Sequence, residues 1–134
     1  MKRRRRDRAT ALQALYEIDW AGHDPETVVA QRAEQSELPP ASLEFVRKLT
    51  FGVLRNLPEI DALVHEIAPE WPLPQMSPID RNILRIAVFE LMIAQDTPVK
   101  VAINEAVELA KLFGGDSTRR FVNGALGTLA GRYL

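Results

Sequence analysis

Cysteine is absent from this chain, which excludes a disulfide framework, a thiolate metal site and a cysteine nucleophile. Histidine is nearly absent. His23 and His65 stand alone and far apart, so neither a metal-ligand spacing nor a histidine–nucleophile pairing is available. No glycine-rich loop of the kind that cradles a nucleotide cofactor is present. No apolar run reaches the roughly 18 residues of a membrane span, and the basic first residues are not followed by the apolar stretch of a signal peptide. No strand-like alternation and no internal repeat is evident. These absences lead us to expect a cytoplasmic, non-catalytic protein with no metal and no cofactor.

What is present suffices for a folded domain. The chain has 134 residues, 46% of them hydrophobic, which matches one ordinary domain with a real core. A net charge of −1 conceals an uneven distribution. Lys2, Arg3, Arg4, Arg5, Arg6 and Arg8 face one acid, Asp7, in the first eight residues, so the remainder is acidic. A basic arm on an acidic body suggests two different partners. Four consecutive Arg exceed what solubility requires and suit nucleic-acid phosphates, although a merely solvated terminus is the plainer alternative.

The stretch from Ser77 to Ala94 organises the rest. Ser77 as cap, Pro78 at the first helical position and Asp80 three residues after the Ser define a helix start. From Ile83 to Ala94 apolar residues occupy every side, so this helix is expected to be buried all round and wrapped by its neighbours. Glu90 breaks the pattern on an apolar side. A buried carboxylate needs a partner, and neighbouring helix-start amides or the Asn123 amide are the expected ones.

About six further helices are read from periodicity and caps. The first starts within the Arg run and ends near Trp20; its basic turn has no core face and should fray without an anion. A second begins at Asp24-Pro25 and ends near Ser36. A third spans roughly Ser42 to Asn56 with Gly52 inside it, where close helix approach would offset the propensity cost. A fourth starts at Pro58. Pro69, Pro72, Pro74 and Pro78 make a connector in which Trp71 is expected to dock back as a plug. A sixth helix follows Asp96-Thr97-Pro98 and ends at Gly114-Gly115, and a seventh is capped by Asp116 or Ser117. Its Gly124 and Gly127 suggest tight packing on the central helix. The expected fold is all-α, about seven helices in two small three-helix-type bundles around a buried central helix. The expected subdomains are residues 1–68 and 79–134, joined by connector 69–78.

Phe121 lies about 100° off the seam of the seventh helix, beside Arg119 and Arg120. It either packs sideways on another helix or stacks on an unpaired base while the Arg residues hold phosphate. The expectation is that the central helix fixes the cationic tail beside this ring, so that both grip one polynucleotide.

Several motifs occur in a specific order: Gln13-Ala14-Leu15-Tyr16 after the Arg run, Gly52-Val53 with Ile60-Asp61, and Ile79-Asp80-Arg81 with Leu84-Arg85-Ile86-Ala87. Phe89-Glu90-Leu91, the run from Lys100 to Lys111, Phe113-Gly114 and Phe121-Val122-Asn123-Gly124 complete the set. Over essentially the whole chain this resembles the NusB family of bacterial transcription antitermination factors. The resemblance implies binding to boxA RNA together with the ribosomal protein NusE, within the RNA polymerase antitermination complex. It implies RNA contacts at Arg4, Arg5, Arg6 and Arg8 and at Phe121, and a NusE contact at Asp80 and Arg81. An acidic excess over residues 19–80 suits a basic protein partner. One departure is visible: the segment from Ile67 to Trp71 lacks a Tyr that some members use toward RNA. Family members occur as monomers or homodimers. Two other readings remain open: a substrate-guiding module, as when this domain precedes an RNA methyltransferase, and a helical protein-interaction scaffold without RNA binding.

Overall fold

In the computed structural model, which describes residues 2–134, seven α-helices carry most of the chain, and no strand occurs among the described residues. They are α1 (Arg3–Ala21), α2 (Pro25–Gln35), α3 (Pro40–Arg55), α4 (Leu57–Ile67), α5 (Pro78–Val88), α6 (Val99–Phe113) and α7 (Asp116–Tyr133). A 3₁₀ turn (Leu73–Gln75) lies within the connector. Proline sets several of the starts, at Pro25, Pro40, Pro58 and Pro78, where a missing N–H leaves no helical hydrogen bond unmade. Asp24 accepts the Thr27 amide at 3.0 Å and Ser77 accepts the Asp80 amide at 3.1 Å, so two of the expected caps are formed.

The other two caps are not. Pro98 and Gly115 occupy the cap positions of α6 and α7 without a side-chain hydrogen bond. Asp96 is instead paired with Lys48 of α3. Gly115, with φ of 84°, takes the left-handed backbone at this corner, while Gly114 does not.

α5 is the centre. Every residue from Asn82 to Leu91 is buried, and the helix touches α1, α3, α4, α6 and α7. After Val88 it widens into a π turn (Phe89–Ala94), in which the Gln95 amide donates to the Glu90 carbonyl at 3.0 Å. Gln95 itself takes a left-handed φ of 54° and ends the helix. One continuous core joins Leu12 and Leu15 of α1, Leu49 and Val53 of α3, Ile60 and Val64 of α4, Ile83 to Val88, Leu109 of α6, and Leu126 and Leu129 of α7. Each such fully buried side chain contributes about 1.5–3 kcal/mol relative to exposure. α2 sits on α1 and α3 through a smaller cluster of Ala14, Val28 and Val29.

Gly52 of α3 is where close approach occurs: a Cβ built there would lie 2.3 Å from the ring of Phe89. Gly124 and Gly127 behave otherwise. Both are exposed, and a Cβ at either meets nothing within 4 Å, because the buried seam of α7 (Val122, Ala125, Leu126, Leu129) faces the other way. The expected tight packing at these glycines is therefore corrected. Gly127→Ala should raise stability by about 0.5–1 kcal/mol through helix propensity alone, as measured by urea unfolding. A loss of stability there would contradict the open surroundings.

Candidate nucleic-acid interface

The arginine-rich start of α1 is helical from Arg3, not frayed, because the protein supplies its own anions. Arg8 is buried. Its Nε donates to both oxygens of Glu90 (3.3 and 3.1 Å), and its Nη2 donates to Oε1 at 2.8 Å. The two side chains are only 6% and 3% exposed. This pair answers the question posed by Glu90: its partner is Arg8, while Asn123 is exposed on α7. Arg5 clamps Glu105 of α6, with Nε donating to Oε1 at 3.1 Å and Nη2 to Oε2 at 2.8 Å. That hydrogen bond outweighs burial and holds the Glu105 carboxyl below the usual carboxylate range.

The remaining guanidinium groups stay near solvent. Arg4 donates to Asp7 at 3.2 Å and lies 4.2 Å from the centroid of the Phe45 ring, a cation–π distance. Arg3 Nε donates to the Ser42 hydroxyl at 3.1 Å. Arg6 is exposed and has no carboxylate partner among the described residues. Arg3 and Arg6 open onto a cleft of about 510 Å³ between α1 and the α2–α3 corner, where Thr10, Ser36 and Ser42 add hydroxyls. Such a mixture of guanidinium and hydroxyl groups suits phosphate oxygens.

A second candidate region lies at the start of α7. Arg119 donates twice to Asp116 (3.2 and 2.8 Å), and Arg120 lies 3.5 Å from the same carboxylate but is exposed. These cations hold the Asp116 carboxyl below its ordinary range, chiefly through the Arg119 hydrogen bond. Phe121 is half-buried against the core edge. With Trp71, Gln75, Met76, Ser77, Asp80 and Ser117 it lines a cleft of about 310 Å³. Trp71 is 54% exposed at this rim, which corrects the expectation of a plug. Leu73 and Met76 of the same connector are the side chains that reach the core, and the indole stays at the surface.

Asp80 and Arg81 are adjacent in sequence but differ in surroundings. Asp80 Oδ1 accepts the Thr118 hydroxyl at 2.8 Å, at the second cleft. Arg81 turns inward: it donates to Asp19 at 2.7 Å and to the carbonyls of Leu73 and Met76 at 3.0 Å each, which pins the connector to α1. Arg85 joins Asp19 to Asp61 of α4. Burial pushes the Asp19 carboxyl up, but hydrogen bonds from Arg81 and Asn82 and the Arg85 charge hold it below the usual range.

The tail and the ring are not side by side. Asp19, late in α1, meets the first turn of α5, whereas Arg8, early in α1, meets Glu90 at its end. The two helices are therefore antiparallel. Phe121 shares its cleft with Asp80, ten residues before Glu90, and at 1.5 Å per residue the two regions are about 15 Å apart along α5. The expectation of a compact shared surface is corrected. A polynucleotide touching both must run for several nucleotides between them.

Sequence reading missed Trp71 as a surface ring and Glu105 as the partner of Arg5. Nothing local marks Glu105, one hundred residues from Arg5.

The sequence model of the NusB family matches residues 5–130. The transcription antitermination protein NusB of Roseiflexus sp. (strain RS-1) is 51% identical over 132 residues, covering 97% of this chain and 93% of that protein. Among solved structures, a chain from a complex of antitermination factors NusB and NusE with double-stranded RNA superposes with a TM-score of 0.90 at 25% identity, covering 99% of both chains. NusB of T. maritima superposes with a TM-score of 0.87 at 32% identity, covering 98% of this chain and 92% of that one.

Proposed function

This chain belongs to the NusB family of transcription antitermination factors, and on that premise we propose that it binds boxA-type single-stranded RNA through the solvent-facing guanidinium groups of α1. It does so as a non-catalytic, cytoplasmic factor, jointly with a basic NusE-type ribosomal protein, within the RNA polymerase antitermination complex. No helix among the described residues is long and apolar enough to cross a membrane. The observation that carries the reading is the division of labour in the Arg run. Arg8 and Arg5 are held by Glu90 and Glu105 and fix the helix, which leaves Arg3 and Arg6 at the cleft that carries the hydroxyls of Thr10, Ser36 and Ser42, and Arg4 near solvent over the Phe45 ring. Phe121, with Arg119 and Arg120 next to it, forms the second contact further along the strand. The protein partner is met by the acidic body: Glu34, Glu37, Glu44, Glu59 and Glu70 are exposed and carry no ion pair among the described residues. Asp80 stands where that body meets the RNA, and Arg81 acts from inside by holding the connector in place.

Each phosphate neutralised on a single strand adds about 0.7 to the log–log salt dependence of binding. Replacing Arg3, Arg4 and Arg6 together with Gln should therefore flatten the slope by about 2 and lower affinity more than tenfold at low salt. Fluorescence anisotropy with boxA-type RNA across a salt series measures both. An unchanged slope would refute the assignment, and partner binding indifferent to RNA would favour a pure scaffold.

A further inference from the structure

We propose that Glu105 of α6, backed by Glu108, is a brake on RNA binding: it keeps Arg5 occupied and so withholds that cation from phosphate. The inference rests on the RNA-binding reading above and names what limits the strength of that surface. Two arginines of α1 are held by carboxylates, and the two pairs differ in kind. Arg8 and Glu90 are sealed, with side chains 6% and 3% exposed, so no ligand reaches them. The Arg5 side chain is 25% exposed, with Glu105 at 12% and Glu108 at 34% beside it. Arg5 therefore lies where a strand can pass, and its engagement depends on what already holds it.

What holds it matches a phosphate closely. Nε and Nη2 donate to the two oxygens of Glu105 at 3.1 and 2.8 Å, the two-point arrangement that guanidinium also makes with phosphate. The remaining nitrogen, Nη1, makes no hydrogen bond among the described residues, but it lies 3.9 Å from Glu108. A phosphate approaching Nη1 meets that second negative charge. The hydrogen bond from Arg5 keeps the Glu105 carboxyl below its usual range, so the clamp stays ionised at neutral pH. Arg3 and Arg6 have no carboxylate partner among the described residues and are open to any strand. The arrangement has a structural return. α1 begins without a side-chain cap or an acid in its first turn, and its cations sit at the positive end of the helix dipole. Glu105 supplies the missing anion from another helix, which orders the arm before RNA arrives and lowers its affinity for every strand.

The test uses the full chain, with boxA-type RNA and an oligouridylate as probes. Glu105→Gln should release Arg5 for one more phosphate. That steepens the log–log salt slope by about 0.7 and, from a reference at about 1 M, tightens binding about fivefold at about 0.1 M salt. Adding Arg5→Gln to Glu105→Gln should cancel both gains. Glu59→Gln, which removes one exposed acid on α4, should leave the slope unchanged. A direct readout needs no variant of Glu105: the Arg5 Nε–H NMR resonance of the parent chain should not move when RNA saturates it. If the parent binds RNA in a salt-sensitive way while Glu105→Gln binds no tighter, or if the parent's Arg5 resonance shifts with RNA, the brake is refuted and the RNA-binding reading stands. A loss of affinity in Glu105→Gln would show that Glu105 only orders the arm, and it refutes the brake equally. If the parent binds neither probe, both readings fall together.

Discussion

Glu90→Ala is expected to destabilise the protein by about 3–5 kcal/mol, because it strands the Arg8 guanidinium inside the core with nothing to pair it. Against a total stability of about 5–15 kcal/mol for a domain, this is a large fraction of the whole. Glu90→Gln should cost nearly as much: a neutral amide keeps a hydrogen-bond acceptor but removes the compensating charge. The pair spans 82 positions, joining the first turns of α1 to the last turn of α5, so its loss should also free the start of α1. A double replacement, Arg8→Met with Glu90→Leu, removes both charges and should recover most of the loss, since two buried charges repay their desolvation only when both are present. Urea unfolding of the two single variants and the double variant reads the coupling directly. Additive losses would show that the pair does not act as a unit.

The second large effect is expected at Gly52. Alanine there would place a Cβ 2.3 Å from the Phe89 ring, well inside contact distance, and Phe89 is buried at the first position of the π turn. The ring cannot swing into solvent without opening the core, so α3 and α5 must separate. Overpacking of this kind costs typically 1–3 kcal/mol and at a backbone-to-ring contact can exceed it. Combining Gly52→Ala with Phe89→Leu should restore part of the loss, because the smaller side chain vacates the space the new methyl needs. Thermal unfolding of the single and combined variants decides it; a Gly52→Ala protein as stable as the parent would refute the contact. Gly127, which has the same side chain and a helical backbone, should respond with the opposite sign. Only the surroundings differ.

That contrast marks what a sequence pattern leaves open. Gly52 and Gly127 look alike in sequence, both being helix-interior glycines, and only the neighbour across the gap distinguishes them. Trp71 is expected from the sequence to dock back as a plug, yet Leu73 and Met76 of the same connector reach the core and the indole stays at the rim. The Arg run was read as one unit. Its five arginines differ in surroundings because a helix turns each successive side chain by about 100°. Arg5 and Arg8, three apart, share the face that looks toward α5 and α6, and Arg4 and Arg6 do not.

The sequence by itself determined the helical class, the central position of α5, the proline-set starts at Pro25 and Pro78 and the need for a buried partner at Glu90. These follow from local periodicity, fixed backbone angles and the cost of an isolated charge, all of which operate within a few residues. Only the tertiary structure decided that Arg8 is that partner, that Arg5 answers to Glu105, and that the cationic start and Phe121 lie at opposite ends of α5. Those outcomes depend on which helix faces meet across scores of residues, and the packing of the whole core sets that geometry, not any local stretch of chain.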